Sequence, residues 1–137
     1  MSKEILFFVV DDDADDRDIF TMALGCIRHK TRCITAKSGE DALELLKKNE
    51  EFIPDFIFLD INMPRVNGKE CLIEMRKMER LKKVPIYMYS TSFTDKDKVE
   101  TLSLGATDYF VKPYSVKILI EILSKIILKS ASPQLSK

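Results

Sequence analysis

Short apolar segments recur along the chain and alternate with longer stretches of mixed polarity. Most of these segments are continuous apolar runs, which is typical of parallel β-strands that are covered on both faces. One of them, Cys33 to Ala36, is weaker than the others. The four stronger runs are Ile5 to Val10, Phe56 to Leu59, Ile86 to Tyr89 and Tyr109 to Val111. The pattern therefore predicts five strands.

The stretches between the strands have the spacing of amphipathic helices. Ser38 and Thr94 are expected to cap the second and fourth helices, and Gly68 and Gly105 are expected to mark turns. A regular alternation of strands and helices predicts an open parallel sheet with helices on both faces, an α/β fold. The residues predicted to face the core are, helix by helix, Ile19, Phe20, Ala23, Leu24 and Ile27; Ala42, Leu43, Leu45 and Leu46; Cys71, Leu72, Met75 and Met78; Val99, Leu102 and Leu104; and Val116, Leu119, Ile120, Leu123 and Ile127.

The length and composition favour one globular domain. The 137 residues fit a single domain, which we place at residues 1–130, and residues 131–137 are expected to form a disordered tail. Apolar residues make up 45% of the chain and charged residues 32%, which is typical of globular proteins. Basic and acidic residues are balanced at 22 each, which argues against direct binding to nucleic acid or to a membrane surface. With no leader or membrane span predicted, we expect a cytoplasmic protein with three reduced cysteines.

Polar residues that can carry chemistry follow the predicted strands. In a parallel sheet the carboxyl ends of the strands meet at one edge, so residues that are distant in sequence come together there. Carboxylates clustered at such an edge repel one another unless a cation lies between them, and oxygen ligands favour Mg²⁺, with Mn²⁺ as a second candidate. The residues at this edge are Asp11, Asp12 and Asp13 after the first strand, Asp60 after the third, Ser90 at the end of the fourth and Lys112 after the fifth.

These groups have the chemistry needed to accept a phosphoryl group. Asp60 is expected in the middle of the edge, where its carboxylate can act as a nucleophile and form an acyl phosphate. The hydroxyl of Ser90 and the ammonium of Lys112 would then contact phosphoryl oxygens that the cation does not hold. The sequence thus predicts one phosphoryl-accepting site built from several strands.

Three aspartates at the start of the predicted first helix have simpler explanations. Asp13 is interpreted as the helix cap, because aspartate accepts hydrogen bonds from the free N–H groups of the first turn. Asp15 and Asp16 are explained by the favourable interaction of acids with the amino end of a helix dipole. Asp15 and Asp16 are therefore not predicted to be metal ligands.

A series of motifs occurs in order along nearly the whole chain. The motifs are Val9-Val10-Asp11-Asp12-Asp13, Leu59-Asp60-Ile61-Asn62-Met63-Pro64, Gly68, Pro85-Ile86 leading to Ser90, Gly105-Ala106, and Tyr109-Phe110-Val111-Lys112-Pro113-Tyr114. In this combination the sequence, from Lys3 to Lys129, resembles response-regulator receiver domains of the stand-alone, single-domain type. The resemblance implies a flavodoxin-like (βα)5 fold with a parallel five-stranded sheet of order 2-1-3-4-5.

The resemblance also implies a metal site and a phosphoryl acceptor. The acceptor would be Asp60, and the cation would be held by the carboxylates of Asp12 and Asp60 and by the backbone carbonyl of Asn62. Asp11 would act mainly through a bound water molecule. The implied cofactor is Mg²⁺.

The resemblance further implies a conformational switch. Ser90 and Lys112 would contact the phosphoryl group, and Tyr109 would turn into the space that Ser90 leaves when it moves. Two positions depart from the common pattern: Thr91 stands where receivers often have a small residue, and Ser92 stands where the side chain influences the lifetime of the acyl phosphate. The lifetime of the acyl phosphate therefore does not follow from the resemblance.

The predicted function is that of a phospho-acceptor switch rather than an enzyme. The implied donor is a phosphohistidine on a sensor histidine kinase or a histidine phosphotransfer protein, and the output is a contact with an unknown downstream protein. A homodimer through the helix 4, strand 5 and helix 5 face is a further expectation, with Ile118 and Ile122 as candidate contacts. Two alternatives stay open: an aspartyl-phosphate phosphohydrolase, which would want an acid where Asn62 stands, and a pseudo-receiver that serves as a binding scaffold.

Overall fold

The computed structural model describes residues 4–130, so the predicted tail at residues 131–137 lies outside the described residues, as do residues 1–3. Strands and helices alternate, as predicted. The strands are β1 (Ile5–Val10), β2 (Thr31–Ala36), β3 (Phe56–Leu59), β4 (Ile86–Ser90) and β5 (Asp108–Val111). The helices are α1 (Ala14–Gly25), α2 (Gly39–Lys48), α3 (Gly68–Lys77), α4 (Asp95–Ser103) and α5 (Val116–Ser130), with a short 3-10 helix at Glu79–Leu81. No helix within residues 4–130 is long and apolar enough to cross a membrane.

The five strands form one parallel sheet of order β2-β1-β3-β4-β5, which confirms the predicted fold. In the register of the sheet, Val10 at the end of β1 pairs with Ala36 of β2 and with Leu59 of β3. On the other side, Ser90 at the end of β4 pairs with Val111 of β5. The carboxyl ends of the strands therefore lie side by side.

The sheet separates two apolar cores. Side chains of β1 alternate between them: Phe7 and Val9 face one core, and Phe8 and Val10 face the other. The first core is completed by α1 and α5, mainly through Phe20, Ala23, Leu24, Leu119, Leu123, Ile126 and Ile127. The second is completed by α2 and α3, mainly through Ala42, Leu46, Cys71, Leu72 and Met75. Helices on both faces explain why the strands are apolar without interruption.

Aromatic rings dominate the core beneath α1 and α5. The ring of Phe20 on α1 lies 4.9 Å from that of Phe58 on β3, centroid to centroid, in an edge-to-face arrangement. Tyr89 on β4 packs edge-on against both rings, at 5.7 Å from each. Such arrangements are preferred by aromatic pairs and fix the rings in place. Tyr89 is thereby packed into this core next to the end of β4.

The predicted apolar face of α4 is wrong in part. Val99 is 70% exposed and Leu102 is 44% exposed, whereas Leu104 lies just beyond the helix and packs against the second core. The buried residue of α4 is Thr101, whose hydroxyl donates to the backbone carbonyl of Asp97. A threonine can be buried here because its hydroxyl forms a hydrogen bond within the helix. The spacing of apolar residues alone therefore predicts the wrong buried face for α4.

Candidate functional site

The backbone of the sheet fixes the four chain segments that supply the site. Hydrogen bonds continue just past the strand ends, from Asp11 N–H to the carbonyl of Ala36 (3.1 Å) and from Asp60 N–H to the carbonyl of Val10 (3.0 Å). Lys112 N–H likewise donates to the carbonyl of Ser90 (2.8 Å). The side chains of Asp11, Asp60 and Lys112 therefore start from an ordered edge.

The structure brings three of the predicted acids together. Asp11, Asp12 and Asp60 each offer a carboxylate oxygen, and these oxygens lie within 4.8 Å of one another. Asp11 is 2% exposed and Asp60 is 6% exposed, whereas Asp12 is open to solvent. We call these three residues the acid cluster.

The burial of Asp11 has an electrostatic cost. Removal from water raises the pKa of its carboxyl from 3.8 to about 6, although hydrogen bonds from Lys112 and from the N–H of Asp13 and the charge of Lys112 act in the opposite direction. The charge of Asp60 raises it further. One lysine therefore does not compensate fully for the buried charge of the cluster.

Lys112 lies among the acids. Its Nζ is 2.7 Å from a carboxylate oxygen of Asp11, 2.7 Å from one of Asp16 and 3.3 Å from one of Asp60. Burial alone would lower the pKa of Lys112, but the hydrogen bonds with Asp11 and Asp16 and the charge of Asp60 outweigh it and raise the pKa. Lys112 is thus a charged group beside the predicted acceptor.

The contact between Asp16 and Lys112 was not predicted from the sequence. Asp13 does cap α1, since its side chain accepts from the N–H groups of Asp15 and Asp16, as expected. The side chain of Asp16, however, turns toward the sheet edge instead of serving only the helix dipole. A usable signal was its place in the first turn of a helix that begins directly after β1.

Ser90 and Asn62 meet through their side chains. The amide Nδ2 of Asn62 donates to the hydroxyl of Ser90 (3.2 Å), and the backbone N–H of Asn62 donates to a carboxylate oxygen of Asp60 (3.1 Å). Ser90 is 1% exposed. The link between Asn62 and Ser90 was not foreseen, because 28 positions separate them in the sequence.

The loop after β3 returns closely over Asp60. Gly68 was expected to mark a turn, and it is the first residue of α3, with its N–H bonded to the carbonyl of Ile61 (2.9 Å). A Cβ at Gly68 would overlap the carbonyl oxygen of Asp60. Asn67 and Glu70 cap α3 reciprocally. Glycine is therefore required here because the backbone approaches the predicted acceptor so closely.

Tyr109, the predicted switch residue, lies beside the loop after β4. It is half-buried against the second core, and its ring lies 5.4 Å from that of Phe93, centroid to centroid. The ammonium of Lys98 on α4 lies 5.4 Å above the Tyr109 ring. Tyr109 thus connects β5 with α4 and with the segment that follows Ser90.

The arrangement has the chemistry of a cation and phosphoryl site. The acid cluster offers only oxygen ligands, which suits a hard divalent cation, and a cation would offset the charge that raises the pKa of Asp11. Lys112 contacts Asp60 directly. The hydroxyl of Ser90 is linked to Asp60 through Asn62, which bonds both residues. The donor set therefore fits a divalent cation next to a carboxylate nucleophile.

Comparisons with known proteins agree with this geometry. A family model for the response regulator receiver domain matches residues 7–124. The sensor histidine kinase CheAY of Helicobacter pylori is 30% identical over 123 residues, covering 90% of this chain and 15% of that protein. The chain spans about half or less of the length of the curated relatives it matches.

Solved structures show the same fold. The chemotaxis protein CheY4 of Vibrio cholerae has a TM-score of 0.76 at 28% identity, over 90% of this chain and 98% of that one. The phosphorylated cyanobacterial phytochrome response regulator RcpA has a TM-score of 0.81 at 26% identity, over 90% of this chain and 91% of that one. The chain therefore belongs to the response regulator receiver domain family, whose members act as phosphoryl-accepting signalling switches.

Proposed function

We propose that this receiver accepts a phosphoryl group on the carboxylate of Asp60 with the help of Mg²⁺. The observation that carries the proposal is the acid cluster, whose oxygens lie within 4.8 Å of one another, with the ammonium of Lys112 at 3.3 Å from Asp60. Receivers of this family interact with histidine kinases or phosphotransfer proteins. The donor is accordingly a phosphohistidine on a protein of one of these kinds.

The transfer would proceed by in-line displacement at phosphorus. A carboxylate oxygen of Asp60 forms the new P–O bond, the P–N bond to the donor histidine breaks, and its electron pair stays on the imidazole nitrogen. Lys112 and the hydroxyl of Ser90 stabilise the phosphoryl oxygens. Mg²⁺ held by these oxygen ligands would supply positive charge beside the transferred group, and Mn²⁺ suits the same ligands.

The proposed cation ligands are the carboxylates of Asp12 and Asp60 and the backbone carbonyl of Asn62. Asp11 would act mainly through a bound water molecule. The hydrogen bond from Asn62 N–H to Asp60 supports this set, because it keeps the backbone of Asn62 next to the acceptor. Asp12 supports it by being open to solvent, where a cation can enter.

The proposed switch couples Ser90 to Tyr109. The hydroxyl of Ser90 accepts from the amide of Asn62 in the present structure and would donate its own hydrogen to an oxygen of a phosphoryl group on Asp60, which would draw Ser90 toward that group. Movement of Ser90 would pull on the segment after β4, where Phe93 packs against Tyr109. The change at the acceptor would thereby reach α4 and β5.

The proposed output surface lies on α4, β5 and α5. Ile118 on α5 is 47% exposed, whereas Ile122 packs against the first core, so Ile118 is the better candidate for a partner contact. This surface is proposed to bind the downstream protein or a second copy of the chain in the cytoplasm. Val99, Leu102, Val111 and Leu128 are further exposed apolar side chains on these elements, and Tyr114 is exposed in the loop between β5 and α5.

Mass spectrometry after incubation with acetyl phosphate and Mg²⁺ tests the proposal. We expect one added phosphoryl group on the native chain, none on Asp60→Asn, and none on the native chain in EDTA. A phosphoryl group that persists on Asp60→Asn would place the acceptor elsewhere. An unmodified native chain would favour the scaffold interpretation instead.

A turnover assay separates a switch from a phosphohydrolase. Asn62, which stands two residues after Asp60, uses its side chain to bond Ser90 and offers no carboxyl for acid or base catalysis. We therefore expect release of no more than about one equivalent of product from a generic phosphate ester. Sustained steady-state turnover that Asp60→Asn abolishes would instead make the protein an enzyme.

A further inference from the structure

Lys112 has a carboxylate partner outside the acid cluster. Its Nζ lies as close to Asp16 as to Asp11, at 2.7 Å from an oxygen of each, and lies farther from Asp60, at 3.3 Å. The side chain of Asp16 is 30% exposed, compared with 2% for Asp11 and 7% for Asp60. Asp16 is therefore the most solvent-exposed of the three carboxylate partners of Lys112.

The ammonium of Lys112 has as many carboxylate partners as it has N–H donors. An ammonium group carries three N–H donors, and three carboxylates lie within reach of them. The ring of Tyr89 lies on another side, with Nζ 5.7 Å from its centroid, and offers a π face rather than a hydrogen-bond acceptor. A phosphoryl group on Asp60 can bond Lys112 only if one of the present contacts weakens.

Two of these three contacts weaken as the proposed reaction proceeds. A bound cation would attract Asp60 directly and Asp11 through a water molecule, and the carboxylate of Asp60 would lose its own charge on becoming an acyl phosphate. Asp16 is changed by neither event, because it lies on α1 and outside the acid cluster. It keeps its attraction for Lys112 and adds a negative charge close to the incoming anion.

We propose that Asp16 is a positioning residue that holds Lys112 on the α1 side of the site and thereby lowers the affinity of the site for a phosphoryl group. The proposal rests on the proposed function, since it assigns a role in the same site. When the contacts with Asp11 and Asp60 weaken, Asp16 is the partner that still restrains Lys112 from moving toward the phosphoryl oxygens. The strength of this contact sets how firmly the phosphorylated state is held.

Binding of BeF3⁻, a mimic of the phosphoryl group, in the presence of Mg²⁺ tests this role. Asp16→Asn keeps the shape of the side chain and removes its charge, so we expect BeF3⁻ to bind about tenfold more tightly by ¹⁹F NMR titration, the size of one hydrogen bond to a charged group. Mg²⁺ alone should bind about threefold more weakly by calorimetry, because a negative charge is lost. Asp16→Ala should change both affinities in the same directions.

Asp15→Asn is the matched control. Asp15 lies in the same helical turn, is exposed, and bonds Asp13 through its backbone N–H. The Asp15→Asn variant loses the same charge as Asp16→Asn but keeps the contact between Asp16 and Lys112. Its affinity for BeF3⁻ should therefore stay within about twofold of that of the native protein. Equal effects of Asp15→Asn and Asp16→Asn, or weaker BeF3⁻ binding by Asp16→Asn, would overturn the role of Asp16. Absence of BeF3⁻ binding by the native chain would instead overturn the proposed function.

Discussion

The buried carboxyl of Asp11 makes the stability of the metal-free protein depend on pH. Its pKa is raised by burial from 3.8 to about 6, so the folded protein keeps a proton on Asp11 at pH values where the unfolded chain has lost it. By linkage, the contribution of Asp11 to the free energy of unfolding falls as the pH rises from about 4 to about 6. The acid thus destabilises the metal-free fold at neutral pH.

The size of this effect follows from the pKa. The rise from 3.8 to about 6 spans roughly two pH units, and each unit is worth about 1.4 kcal/mol. Ionised Asp11 therefore costs the folded state about 3 kcal/mol relative to its neutral form. The side chain of the Asp11→Asn variant cannot ionise. The free energy of unfolding of the variant, minus that of the native protein, should therefore increase by about 3 kcal/mol between pH 4 and pH 7 and stay constant at higher pH.

Urea denaturation of both proteins in EDTA, repeated across this pH range, measures the difference. Acids that lie far from Asp11 titrate alike in both proteins, so their contributions cancel in the difference. Mg²⁺ should reduce the advantage of the variant at neutral pH, because the cation compensates the charge of Asp11 in the native protein. A difference that is the same at pH 4 and pH 7 would show that Asp11 ionises normally and would refute the electrostatic argument for the acid cluster.

Three further substitutions and one control, Gly25→Ala, test packing at the site and elsewhere in the fold by urea denaturation. Gly68→Ala should lower the free energy of unfolding by about 2 kcal/mol or more, because a Cβ overlaps the carbonyl oxygen of Asp60, whereas Gly25→Ala, where a Cβ meets nothing within 4 Å, should change it by less than about 1 kcal/mol. Arg76→Met should lower it by about 2 kcal/mol, because three backbone carbonyls lose their bonds to a guanidinium. Val99→Ser should stay within about 0.5 kcal/mol of native, since Val99 is exposed; a larger loss would mean that the side chain packs in solution.

The fold was predictable because its determinants are local and repeated. Val9 and Val10 belong to a run of apolar residues that only a sheet covered on both faces can bury, and the acids that follow end the strand. The same logic holds at Leu59 and Asp60. Strand order needed the family resemblance, because periodicity specifies faces and not neighbours.

The details of the site were less predictable because they depend on side-chain directions. Asp16 has a sufficient explanation in the helix dipole, and only the position of Lys112 in space shows that the two side chains meet. Asn62 and Ser90 meet for the same reason, across two adjacent strand ends. A sequence places such residues at one edge but does not say which pairs of atoms bond.

The error at α4 has a physical meaning for the proposed switch. Thr101 is the buried residue of α4. Ion pairs join α4 to α3: the ammonium of Lys69 lies 2.7 Å from a carboxylate oxygen of Asp97 and 2.6 Å from one of Glu100. Moving α1, α2, α3 or α5 would expose large apolar side chains, whereas moving α4 would exchange ion pairs for water at a small net cost. We infer that α4 is the helix whose position a charge on Asp60 can change most cheaply, which suits it to carry a signal.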